Sequence, residues 1–149
     1  KCALAKAHGA EHVVNYSREN FVERVQAITG GKKVPVVYDS VGKNTWEGTL
    51  ECLRPRGLIV SFGNASGPVP PVNLGILSTK GSLYVTRPTL ATHIASRADL
   101  VERSNDLFEV VKSGKVKIET TKRYKLADAQ QAHRDLEGRK TTGSIVLQP

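Results

Sequence analysis

Two short segments carry the residues best suited to hold a ligand. Tyr38-Asp39-Ser40-Val41-Gly42 follows the run Val34-Pro35-Val36-Val37. Phe62-Gly63-Asn64 follows Gly57-Leu58-Ile59-Val60-Ser61. Each segment reads as a buried strand whose carboxyl end opens into small and polar residues. Strands that end this way, twice in succession, form the crevice in which doubly wound α/β domains hold a dinucleotide. Ser40 would face that crevice, where a small side chain lets a flat nucleotide approach the backbone. Gly42 permits the bend that follows. Gly63 lacks a Cβ and suits close approach of the backbone. For Phe62 and Asn64 the plain alternatives are a core phenylalanine and a turn-forming asparagine.

Covalent and metal chemistry find less support. Asp39 beside Ser40 cannot make a catalytic triad by adjacency. His133 falls on the apolar stripe of a helix and reads as structural. Cys2 and Cys52 lack metal-ligand spacing, and His8, His12, His93 and His133 are not placed to complete a zinc site. Both cysteines are expected to be buried thiols in a reducing cytosol, which makes the expected location cytoplasmic. No G-x-G-x-x-G occurs, and the chain starts at Lys1 with no Met anywhere. The chain is therefore expected to be the carboxyl part of a longer dinucleotide-dependent enzyme.

Composition sets broad bounds. With 149 residues and 39% hydrophobic content, the chain can build one ordinary globular core. No apolar run approaches the ~20 residues of a membrane-spanning helix. The formal net charge of +8 raises nucleic acid or an anionic cofactor as partners. The basic residues are spread along the chain, and the densest cluster, Lys122-Arg123-Tyr124-Lys125, is too short for a nucleic-acid tail. The charge is read as a solvated surface.

The elements that would position the two segments follow from periodicity. Residues 1–10 look like the end of a helix stopped at Gly9, and His12–Tyr16 like a short strand. Ser17 would cap a helix carrying Phe21, Val22, Val25 and Ile28, ended by Gly30-Gly31. Strand Val34–Tyr38 follows. Asn44 and Glu47 form a capping-box pattern before the stripe Trp46, Leu50, Leu53. Strand Leu58–Phe62, a Gly- and Pro-rich loop at 63–75, a brief helical turn near Leu74–Thr79 and strand Ser82–Thr86 complete a β-α-β-α-β-loop-β series. Such alternation implies a parallel sheet. After Arg87-Pro88 the pattern changes. A long helix carries Leu100 to Val111 and stops at Gly114, and Val116–Tyr124 is extended. A second helix runs from Leu126 to Gly138, and Ser144–Leu147 is a final strand. A domain boundary is placed near residue 88.

The motifs Tyr38–Gly42, Gly57–Asn64 and Gly81-Ser82-Leu83-Tyr84-Val85-Thr86-Arg87-Pro88 resemble NADPH:quinone oxidoreductases. These form the zinc-free, zeta-crystallin-like branch of the medium-chain dehydrogenase/reductase superfamily. Ala129-Gln130-Gln131-Ala132-His133 and Thr142-Gly143-Ser144-Ile145-Val146-Leu147 resemble the same branch. The resemblance runs in order along essentially the whole chain.

The resemblance implies a fold and a site. Residues 1–87 would be the carboxyl part of an NADPH-binding Rossmann domain, a doubly wound parallel α/β sheet. Residues 88–149 would return to a GroES-like catalytic domain. Lys1 would lie near the 2′-phosphate of NADPH, where a dianion needs a cation. Tyr16 would lie beside the adenosine phosphate and share a pocket wall with Lys1. Ser40 would face the nucleotide, and Phe62, Gly63 and Asn64 would lie along the nicotinamide. The implied activity is hydride transfer from NADPH to a quinone or similar electron-poor acceptor, with no catalytic residue in this chain. The chain alone is expected to be inactive. Strand Ser82–Thr86 would be an edge strand pairing with a second subunit. Two alternatives stay open. One is an enoyl-thioester or alkenal reductase of the same superfamily, and the other is a non-enzymatic RNA-binding or crystallin-like structural protein.

Overall fold

The computed structural model describes residues Lys1–Pro149 and divides into two compact units, Cys2–Thr92 and His93–Pro149, the latter grouping with Lys1. The class is α/β, with every strand pairing parallel.

The first unit is built on a three-stranded parallel sheet in the order β1-β2-β3, comprising β1 (Val34–Asp39), β2 (Leu53–Ser61) and β3 (Tyr84–Thr86). Helices α1 (Cys2–Ala7) and α2 (Phe21–Ile28) precede β1, α3 (Trp46–Cys52) connects β1 to β2, and α4 (Gly75–Thr79) precedes β3. Side chains alternate across each strand, so one face of the sheet carries the core. Ile59 from β2 meets Trp46 and Leu50 from α3, with Leu53 and Leu83, in one buried cluster. Leu50, Leu53 and Ile59 are almost wholly shielded from solvent. Each such side chain contributes about 1.5–3 kcal/mol through burial. Glu51 on α3 pairs with Lys80 just beyond α4, which draws the Glu51 carboxyl below its ordinary pKa.

Several local expectations change. Residues 12–16 form no strand and pair with none of the chain's strands. Helix α2 is capped by Asn20 rather than Ser17: the Asn20 Oδ1 accepts the Val22 N–H at 3.0 Å. The Asn44–Glu47 capping box is absent. Helix α3 begins after Thr45, whose hydroxyl is drawn to Asp39 instead. Strand β2 starts five residues earlier than the apolar pattern suggests, at Leu53, and β3 is confined to Tyr84–Thr86. Cys52 is buried as expected and its thiol pKa is pushed up by that burial, whereas Cys2 is exposed.

The second unit pairs β4 (Thr120–Lys125) with β5 (Ser144–Gln148) through α7 (Ala129–Glu137), which follows one 3-10 turn at Leu126–Asp128. Asp135 on α7 ties the helix to the sheet. Its carboxylate accepts from Lys122 Nζ at 2.8 Å, Tyr124 Oη at 2.8 Å and Gln131 Nε2 at 2.9 Å. The bonds from Lys122 and Tyr124 hold the Asp135 carboxyl down at about 2. Helix α6 (Arg97–Lys112) starts at Ser96, whose Oγ accepts the Asp99 N–H at 3.1 Å. It buries no residue, and Leu107 and Phe108 are exposed. The short helix α5 (Leu90–His93) lies where the two units join in sequence. No helix is long and apolar enough to cross a membrane.

Candidate functional site

The carboxyl ends of β1 and β2 lie side by side, with Asp39 paired to Ser61. Beyond them the two turns interlock. Val41 O accepts from the Ser66 N–H at 2.8 Å and from Ser66 Oγ at 2.8 Å. The Lys43 N–H donates to Gly67 O at 3.1 Å, and the Ala65 N–H to Ser40 O at 3.2 Å. The loop at 63–67 is therefore folded back onto the 40–43 turn.

Two glycines make that contact possible. Gly42 has φ +88, and a Cβ there would lie 2.6 Å from Gly67 O. Gly63 sits directly on Ser40: an added Cβ would overlap the Ser40 carbonyl oxygen and lie 2.8 Å from its Cα. The close approach expected of Gly63 is thus made to the chain's own backbone.

Asp39 organises the first turn and was not among the residues expected to matter. It is buried, and one carboxylate oxygen accepts the Val41 N–H at 2.7 Å and the Gly42 N–H at 3.1 Å. The other accepts from Thr45 Oγ1 at 2.8 Å and Thr49 Oγ1 at 3.3 Å. The carboxylate links the end of β1 to the first turn of α3. An Asp two residues before a turn N–H is a recognised local signal. The Thr45 and Thr49 partners complete it at helical spacing.

Of the expected residues, Tyr16 and Ser40 come together. Both line a cavity of about 210 Å³ whose walls also include Phe21, Val37, Tyr38 and Asp39. Tyr16 is about half exposed, in a turn rather than at a strand end. Phe62 is also about half exposed, so it is not a core residue. Gly63 is partly covered and Asn64 exposed, both just past β2. Lys1 is exposed ahead of α1 and does not line the Tyr16–Ser40 cavity. His133 is exposed on α7, beside Leu136, Ile145 and Leu147.

Comparison with known proteins identifies the family. The family model for zinc-binding dehydrogenases matches residues 8–147, and the chain belongs to that family. The chain is 56% identical over its whole length to a quinone oxidoreductase of Pseudomonas aeruginosa, covering 46% of that protein. It is 44% identical over 150 residues to a 2-haloacrylate reductase of a Burkholderia species, covering 45% of it. A crystal structure of Escherichia coli quinone oxidoreductase complexed with NADPH superimposes with a TM-score of 0.94 at 55% identity. That match covers 99% of this chain and 46% of the other. The chain thus spans about half the length of the relatives it matches. Its parallel α/β fold matches the Rossmann-like domain of medium-chain quinone oxidoreductases. The family's name implies zinc. No group of three or more His, Cys, Asp or Glu side chains converges here to hold a metal ion, so this chain's donors do not fit a zinc site.

Proposed function

We propose that this chain is the cofactor-binding half of an NADPH-dependent quinone reductase. The observation that carries the reading is the paired strand end, where Ser40 and Gly63 abut beside a cavity reached by Tyr16. A crevice outside the carboxyl ends of parallel strands is where open α/β sheets bind nucleotides. One relative of known structure with this fold, the Escherichia coli quinone oxidoreductase, is complexed with NADPH. The residues present suit such a ligand. Ser40 puts only a small side chain at the crevice, and Tyr16 offers an aromatic face beside it.

In this reading Lys1 neutralises the 2′-phosphate and Tyr16 flanks the adenosine end. Ser40 lies along the nucleotide, and Phe62, Gly63 and Asn64 border the nicotinamide. NADPH, once bound, supplies a hydride to a quinone or similar electron-poor acceptor. The protein's contribution is orientation and exclusion of water. Residues 1–87 serve as the nucleotide domain and residues 88–149 belong with the catalytic domain. The workplace we propose is the cytoplasm, in keeping with two unpaired cysteines. Reduction of an activated alkene is the second reading, favoured by the similarity to 2-haloacrylate reductase.

We also infer a homodimer through β3. It is one of the two outer strands of its sheet, with Tyr84 and Val85 exposed. Such an edge accepts another strand.

Titration of the chain with NADPH and with NADH tests the cofactor assignment. Tighter binding of NADPH, weakened about tenfold in Lys1→Ala, a loss of about 1.4 kcal/mol, is the expected result. Equal affinity for the two nucleotides, or binding of neither, overturns it.

A further inference from the structure

Arg87 reaches from the end of β3 to the end of β2. Its Nη1 donates to the Ser61 carbonyl at 2.9 Å, and lies 3.3 Å from the Gly63 carbonyl and 3.4 Å from Ser61 Oγ. The strand ladder explains why a side chain takes this role. β2 and β3 pair from Leu58–Tyr84 to Val60–Thr86. Two residues past Thr86 comes Pro88, which has no N–H with which to extend the ladder. One guanidinium nitrogen, with two protons to donate, bridges two carbonyls and so spans the turn at Phe62.

That grip sets the direction of the peptide groups. In a trans peptide the C=O and N–H point opposite ways. Opposite the Ser61 carbonyl, the Phe62 N–H donates to the Asp39 carbonyl at 2.9 Å. Opposite the Gly63 carbonyl, the Asn64 N–H donates to no atom of the chain. The first peptide thus closes the sheet, and the second leaves a backbone donor at the strand end.

We propose that Arg87 is a positioning residue of the crevice. By holding the Gly63 carbonyl, it aims the Asn64 N–H at an oxygen acceptor on the bound ligand, the carboxamide oxygen of a nicotinamide. The inference rests on the dinucleotide reading above. Arg87 acts through the Gly63–Asn64 peptide and need not touch the ligand.

The test uses Arg87→Ala and Arg87→Lys in the 149-residue chain. Three quantities are read: the ¹³C carbonyl shifts of Ser61 and Gly63, the NADPH affinity, and the NADPH-induced shift of the Asn64 amide. Arg87→Ala should move both carbonyl signals, weaken NADPH about tenfold and abolish the Asn64 response, while Arg87→Lys restores part of each. Should Arg87→Ala fail to fold, Arg87→Gln carries the same readouts. Unchanged carbonyl signals, or an Asn64 response that survives the loss of Arg87, overturn the proposal while NADPH binding stands. A wild-type chain that binds no NADPH overturns the dinucleotide reading, and the ligand role of Asn64 with it. The carbonyl shifts then still show whether Arg87 holds the turn.

Discussion

Gly63 packs its Cα against the Ser40 backbone so closely that a Cβ would lie 2.8 Å from the Ser40 Cα and 2.9 Å from its carbonyl carbon. The obstruction is backbone on both sides, so neither turn can yield by rotating a side chain. Gly63→Ala should therefore destabilise the chain by about 1–3 kcal/mol, the usual range for overpacking. A urea unfolding midpoint that matches wild type would contradict the close approach.

Asp39 offers a second point of attack. Asp39→Asn replaces a carboxylate oxygen by an amide that donates, so two of the Val41, Gly42, Thr45 and Thr49 donors lose their acceptor. Leaving buried donors unmatched costs about 1–3 kcal/mol. Thermal unfolding should fall accordingly. Thr49→Val, which removes only the 3.3 Å bond, should cost much less. Equal losses in the two variants would show that the carboxylate is not the hub.

Acid stability should depend on Asp135. Its folded pKa, about 2, lies below the ordinary carboxylate value of about 3.9. A depressed folded pKa means the unfolded state takes up its proton first as pH falls. The stabilisation is complete above about pH 4 and is lost progressively towards about pH 2. Asp135→Asn should flatten that part of the stability profile and lower stability at pH 7. Urea midpoints at pH 7, 4 and 2.5 check the sign, and an unchanged acid limb would count against the lock.

The edge strand gives a test of assembly. A lysine at Val85 places a charge on the exposed edge of β3, where a partnering strand would have to approach. Val85→Lys should convert a dimer to a monomer in sedimentation velocity with little change in helix content. An oligomer that survives both Val85→Lys and Val85→Pro would exclude pairing through this edge.

Much of this arrangement was legible in the sequence because it is local. The runs Val34–Tyr38 and Leu58–Phe62 are apolar and bounded by turn residues, so β1 and β2 could be located and their carboxyl ends recognised. What escaped depends on distant partners. Residues 12–16 have the composition of a strand, yet a strand exists only where another segment offers a ladder. Ser17 and Asn20 are both good cap residues, and only the path of the chain selects Asn20. Gly63 was expected to admit a ligand. Its neighbour is Ser40, 23 positions away in sequence, and the contact follows from how two loops fold over the sheet end. The grip of Arg87 on Ser61 and Gly63 likewise joins residues that no periodicity connects.

In the proposed reading, the ends of β1 and β2 form a nicotinamide-nucleotide crevice. An amide-resolved NADPH titration of the ¹⁵N-labelled chain tests it most directly. Shifts should concentrate at Tyr16, Ser40, Gly63 and Asn64, saturating with one affinity, and should be smaller with NADH. Shifts confined to the 120–148 region, or none at saturating nucleotide, would contradict it.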